Sequence, residues 1–260
     1  MRSKSFCAHE NLLEKEGFFV LIIFLYCTKF SKMNWYKLIS YLILISLFIS
    51  CKTVDTASRK DALKNNYLKG NSIALENVND STFINVLSAS KDFIIEMKYA
   101  TTDNFMKKKV YDCADCYLRY KAVKQLVEAN KAFIKDGYRI KIFDCYRPLD
   151  IQKKMWKIVP NADYVADPKR GSVHNRGGAI DITLIDATGK ELDMGTPFDF
   201  FGVEASHKFQ ELSEEVKKNR TYLKEVMIQN GFKPLESEWW HYNLVTGMSD
   251  KIANFKWDCN

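Results

Sequence analysis

The chain has 260 residues, 47% of them apolar, enough to bury one core of ordinary size with N-terminal material to spare. Of its formal net charge of +7, residues 1–51 carry six Lys/Arg against three acids, and the basic residues beyond them, such as those at 107–109 and 217–218, are scattered. Without a basic run interleaved with aromatics on one element, the charge reads as a solvated face and argues against a nucleic-acid partner.

Two apolar runs open the chain, FFVLIIFLY at 18–26 and another at 38–49. The second follows Lys37 and ends in Ser50-Cys51; it is too short for a spanning helix and suits the core of a signal peptide. A small residue followed by Cys there resembles a bacterial lipoprotein signal, with Cys51 the lipidated first residue of the mature chain, although Phe48 stands where Leu is usual. The alternative is an uncleaved signal anchor. Since one signal needs one core, residues 1–32 read as an upstream extension and Met33 as the start; a two-helix membrane hairpin competes with this, against the charged linker KFSKMNWYK. Residues 33–51 are then the signal, 52–80 a polar tether, and 81–260 the domain, exported and membrane-anchored on the periplasmic or outer surface.

Within the domain, DFIIEMKYAT (92–101) reads as a strand and YLRYKAVKQLVEANKAFIKDG (117–137) as a helix whose apolar stripe includes Ala122, Val123, Leu126 and Phe133. YRIKIFD (138–144) reads as a strand, RPLDIQKKMW as the start of a short helix, and AIDITLID (179–186) as a second strand. A long helix over about 206–230, with Ser206 as a candidate cap and Gly231 as its end, leads to ESEWWHYNLV. Strands and helices alternate without evenly repeated units, which predicts an α+β fold rather than a doubly wound parallel sheet.

Export would place Cys113, Cys116, Cys145 and Cys259 in an oxidising compartment, where four cysteines permit three pairings. Cys113-Ala-Asp-Cys116 also stands at the start of a predicted helix, where a redox CxxC would gain thiolate stability, but no apolar strand leads into it and no second CxxC offers a zinc partner.

Three histidines follow the signal: His174, His207 and His241. A hydrolytic zinc takes about three ligands from His and carboxylate and keeps one position open for water. His174, Asp181 and His241 supply that set, and two neutral imidazoles with one carboxylate leave the ion positive enough to acidify a water. The odd spacing of His174 and Asp181 requires a bend, for which Gly177 and Gly178 are placed. The same reasoning puts Glu238 off the strand that carries His241, free to act as general base.

The segments YATTDNFM, CYLRYKAVKQL, FDCYRP, SVHNRGGAIDITL, DMGTPFDFFGVEASH and EWWHY occur in an order that resembles the D-alanyl-D-alanine dipeptidases of the VanX type. These zinc peptidases share a fold with D,D-carboxypeptidases and the Hedgehog signalling domain, and the likeness spans residues 93–242. It implies a single domain with a central antiparallel sheet flanked by helices, and one Zn2+ on His174, Asp181 and His241. It further implies Glu238 as base and proton shuttle, Arg147 as stabiliser of the oxyanion, and Ser172 and Asp199 as contacts to a small D,D-dipeptide. Asp193 competes with Asp199 for the substrate ammonium, and His207 reads as structural support. A D,D-carboxypeptidase or endopeptidase on stem peptides, and a zinc-containing wall-peptide-binding lipoprotein without turnover, are the alternatives. The CADC stretch, Cys145 and the leader depart from the soluble members of the family.

Overall fold

The computed structural model describes residues 77–259; the signal, Cys51 and nearly all of the polar tether lie outside them. The described chain forms a mixed sheet of five strands in the order β2-β4-β5-β7-β6, with helices against it, and a separate two-stranded ribbon. The strands are β1 (Phe83–Asn85), β2 (Ile94–Ile95), β3 (Tyr117–Arg119), β4 (Arg139–Asp144), β5 (Ala179–Ile185), β6 (Phe232–Leu235) and β7 (Glu238–Leu244). The helices are α1 (Val86–Ala89), α2 (Tyr120–Lys135), α3 (Leu149–Ile158) and α4 (Glu214–Gln229). The β4–β5, β5–β7 and β7–β6 pairs are antiparallel, and β2 pairs parallel with β4 at the edge. The class is α+β, as its sequence pattern predicts. Among the described residues no helix is long and apolar enough to cross a membrane.

α2 turns Ala122, Val123, Leu126, Ala129 and Phe133 inward and packs on β4, while α4 packs on β6 and on α2. β5 is buried at every position, with Ile180, Ile182 and Leu184 on one face and Asp181 and Thr183 on the other. Asp181 lies inside that run, and a carboxylate so placed must find a partner or a task.

Four predicted boundaries move. The strand expected at 92–101 shrinks to β2, because the chain turns into a 3-10 helix at Lys98–Ala100 that buries Tyr99. YLR is a strand, not the first turn of α2: Leu118 is fully buried and the three residues pair with β1. The helix expected from 206 begins at Glu214, where the Ser213 hydroxyl accepts from the Val216 amide; Ser206 instead ends a 3-10 turn at Val203–Ala205. CADC precedes β3 rather than a helix, and its cysteines do not pair with each other: Cys113 bonds Cys259 and Cys116 bonds Cys145. Those pairings remove the redox reading of the motif.

Candidate active site

β4, β5 and β7 lie side by side, and their register sets Asp144 opposite Asp181 and Asp181 opposite His241. Directly opposed residues on neighbouring strands point to the same face, so three polar side chains form one row across the middle of the sheet. His174 joins them from a 3-10 turn at His174–Arg176, which Gly177 terminates at φ 75°. A Cβ on Gly177 would stand 2.5 Å from the Phe83 ring as well as requiring a left-handed backbone. Gly178 has a different task from the bend expected of it: a Cβ there would meet the backbone of Gly247 at 3.2 Å, so it permits close approach.

The donor atoms converge. His174 Nε2 lies 3.2 Å from His241 Nδ1 and 3.5 Å from Asp181 Oδ1, and His241 Nδ1 lies 3.0 Å from the same oxygen. Nitrogen and oxygen donors at about 2.0–2.2 Å around a tetrahedral zinc stand roughly 3.3 Å apart, so this set fits the ion. The outer partners fix the rings. His174 Nδ1 donates to the Cys145 carbonyl at 2.7 Å, and His241 Nε2 donates to Asn243 Oδ1 at 2.9 Å, which directs the other nitrogen of each ring at the common point. All three candidate ligands are buried.

Glu238 is the first residue of β7, on the strand with His241 rather than off it. The register against β6 shifts between Pro234 and Leu235, so that Leu235 pairs with Glu238 and the intervening residues bow out of the ladder. This irregularity brings Glu238 Oε2 to 4.0 Å from His241 Nδ1. Burial, reinforced by the Asp181 charge, raises the Glu238 carboxyl above the usual range against the pull of His241.

Arg147 is buried beside the same cavity. Its Nη2 and Nε donate to Asp144 Oδ2 at 2.6 and 3.2 Å, and its Nη1 donates to Gln152 Oε1 at 3.0 Å. The guanidinium lies over the Tyr99 ring, 5.3 Å from the centroid. Of five N–H groups, two remain for a ligand.

Asp199 faces this group with φ 61°, a strained backbone for a non-glycine residue. Its Oδ1 accepts from the Tyr99 hydroxyl at 2.9 Å, and its Oδ2 is buried without a hydrogen-bond partner among the described residues. Burial pushes its carboxyl well above the ordinary range. Ser172 stands at the rim, its amide donating to Asn175 Oδ1 at 2.8 Å. Arg147, Ser172, His174, Asp181, Asp199, Glu238 and His241 all line one cavity of about 280 Å³. Asp193 does not: it is exposed, accepts from the Gly195 amide, and lines a different hollow with Thr196 and Trp239. His207 does not line the cavity, and its imidazole is lowered to about 4 by burial and by Lys224.

Four neighbours carry no assigned role in the sequence reading: Tyr99, Tyr111, Asp144 and Asn175. Tyr99 and Asp144 sit inside segments that the resemblance singles out, and Asn175 adjoins a candidate ligand. Tyr111 gives no local sign, since it reaches Asp144 only through tertiary packing.

The chain also has recognisable relatives among known proteins. A family model described as D-ala-D-ala dipeptidase, of the M15 peptidases, matches residues 79–258. A D-alanyl-D-alanine dipeptidase of Escherichia coli (strain K12) is 37% identical over 169 residues, covering 65% of this chain and 87% of that protein. One of Enterococcus faecium is 31% identical over 172 residues, covering 57% of this chain and 84% of its own. Among solved structures, the LdcB LD-carboxypeptidase aligns over 50% of this chain and 59% of its own at 21% identity and a TM-score of 0.35, an overlay too loose to argue from.

Proposed function

The chain belongs to the M15 peptidase family of D-Ala-D-Ala dipeptidases, and on that premise we propose that it hydrolyses D-Ala-D-Ala, or a closely related D,D-dipeptide, in bacterial cell-wall metabolism, with one zinc ion held by His174, Asp181 and His241. The convergence of Nε2, Oδ1 and Nδ1 on one point carries this reading. Zinc bound there supplies Lewis acidity to the peptide carbonyl and makes a water easier to ionise near neutral pH.

The chain's own residues do the rest. Glu238, whose affinity for a proton is raised by burial, takes the proton of the attacking water and returns it to the leaving amine. Arg147 offers its two unused N–H groups to the oxygen that gains negative charge, from a buried position where a fixed charge acts strongly. Asp199 Oδ2 has no hydrogen-bond partner among the described residues and suits the substrate's free ammonium; Ser172 contacts the substrate at the rim.

The test is zinc-dependent release of alanine from D-Ala-D-Ala, compared with a stem pentapeptide. Glu238→Gln should lower kcat by about 10²–10⁴-fold while zinc content stays at one per chain. Release of D-Ala from the pentapeptide, with the free dipeptide untouched, would replace the dipeptidase reading by a D,D-carboxypeptidase. A wild-type protein that binds these peptides, turns none over, and is unaffected by Glu238→Gln would be a binding lipoprotein.

We also propose export and membrane attachment through a lipid on Cys51. The apolar run at 38–49 followed by Ser50-Cys51 supports this, and two disulfides suit an oxidising compartment. Incorporation of labelled palmitate that survives Cys51→Ser would refute it.

A further inference from the structure

Asp144 is wholly buried at the end of β4, in register with Asp181, yet it is neither one of the converging donors nor a lining residue of the cavity. Its two oxygens are fully engaged. Oδ2 accepts both Nη2 and Nε of Arg147, and Oδ1 accepts the Tyr111 hydroxyl at 2.7 Å. The Arg147 main chain is tied as well: its amide donates to the His174 carbonyl at 3.1 Å, and its carbonyl accepts from Asn175 Nδ2 at 2.7 Å. A guanidinium gripped on one edge by a carboxylate and at Nη1 by Gln152 is held in place at the cavity that Arg147 lines.

We propose that Asp144, held in turn by Tyr111, is a positioning residue for the reaction: it aims and charge-balances Arg147 and touches neither substrate nor metal. The proposal rests on the dipeptidase reading only in naming Arg147 as the oxyanion partner. An oxyanion exists in the transition state and not in the bound dipeptide, so misaiming Arg147 lowers kcat and leaves KM nearly unchanged. Losing a hydrogen bond between charged groups typically costs roughly 10–100-fold.

The test is a double-mutant cycle on the zinc-loaded protein. Asp144→Asn should lower kcat by about 10–100-fold with KM within roughly twofold and zinc content unchanged. In an Arg147→Ala background the same substitution should cost little further; because Asp144 Oδ2 also lies 3.8 Å from His174 Nδ1, zinc affinity is measured in both backgrounds and should not change. Equal losses in both backgrounds, or a loss confined to KM, would overturn the proposal. Should Asp144→Asn fail to fold, Tyr111→Phe enters the cycle and should show a smaller loss that also vanishes without Arg147.

Binding of a phosphinate dipeptide, whose tetrahedral anionic centre mimics the oxyanion, separates this proposal from the dipeptidase reading. If wild type hydrolyses no D-Ala-D-Ala yet phosphinate affinity falls in Asp144→Asn only when Arg147 is present, the dipeptidase reading fails and the positioning role stands. If hydrolysis is normal and phosphinate affinity falls equally with and without Arg147, the positioning role fails alone.

Discussion

The sharpest consequences at the scale of single residues concern protons. In the metal-free site the His241 imidazole is raised to about 9: burial works against its charge, but the hydrogen bond and charge of Asp181 outweigh it. A raised folded-state value means that this proton stabilises the metal-free fold fully below about 6.5, its ordinary value, and that the contribution fades as pH rises through about 9. Zinc must displace that proton. Between pH 9 and 7 its apparent affinity should therefore weaken about tenfold per unit of pH lost, roughly 1.4 kcal/mol each. Calorimetric titration of zinc at pH 7 in buffers of different ionisation enthalpy should count about one proton released by His241. A count near zero would mean that the imidazole is already neutral. Asp199 makes the opposite case. Buried and held toward its neutral form when the cavity is empty, it regains its charge beside a substrate ammonium, so Asp199→Asn should raise KM by about 10–100-fold, the worth of a charge-assisted hydrogen bond, with a smaller change in kcat. Dipeptide kinetics decide it; an unchanged KM would remove Asp199 from substrate recognition.

Elements convert these residues into a site, and here the sequence was legible in unequal measure. β5 and β7 announce themselves by apolar and aromatic runs, and the candidate ligands stand out because histidines are few. The row Asp144–Asp181–His241 was not legible, since cross-strand register is decided by pairing and not by any one strand. The position of Glu238 was misread for the same reason: a shift against β6, invisible in EWWH itself, places it on β7 and beside His241. The start of α4 was misread because Ser206 and Ser213 are equally good caps in isolation, and only Ser213 is followed by the packed stripe of Val216, Leu223 and Met227. Gly177, by contrast, declared itself. With a left-handed backbone and a ring at 2.5 Å from any added Cβ, Gly177→Ala should cost on the order of 2 kcal/mol or more and loosen the turn that carries His174. Thermal unfolding with and without zinc checks both parts: the melting temperature should fall, and the increment that zinc adds should shrink. A zinc increment equal to that of wild type would show that the turn tolerates the change.

The C-terminal segment acts on the whole molecule, crossing the elements that carry the site. Ala253 donates to the Asn175 carbonyl at 2.8 Å and accepts from the Leu149 amide at 3.2 Å, which links the turn after His174 to the start of α3. Phe255 stacks on Phe83 with centroids 4.9 Å apart and its carbonyl accepts from the Tyr146 hydroxyl, while Trp257 packs against Tyr117. Cys259 then bonds Cys113 across a sequence separation of 146 residues. Composition could say only that four cysteines have three pairings, because the choice depends on where this strap lies. A bond closing so long a loop restricts the unfolded chain most of all, and its loss typically costs about 2–5 kcal/mol. Cys113→Ser/Cys259→Ser should accordingly lower the melting temperature by on the order of 10 °C. Because the aromatic contacts and the Ala253 hydrogen bonds do not need the bond, the folded mutant should keep its zinc and most of its kcat, but proteolysis within residues 248–259 should quicken. Calorimetry paired with timed proteolysis separates the outcomes. An unaltered melting temperature would mean that aromatic packing alone secures the strap, and loss of zinc along with the bond would make the strap part of the metal site's support.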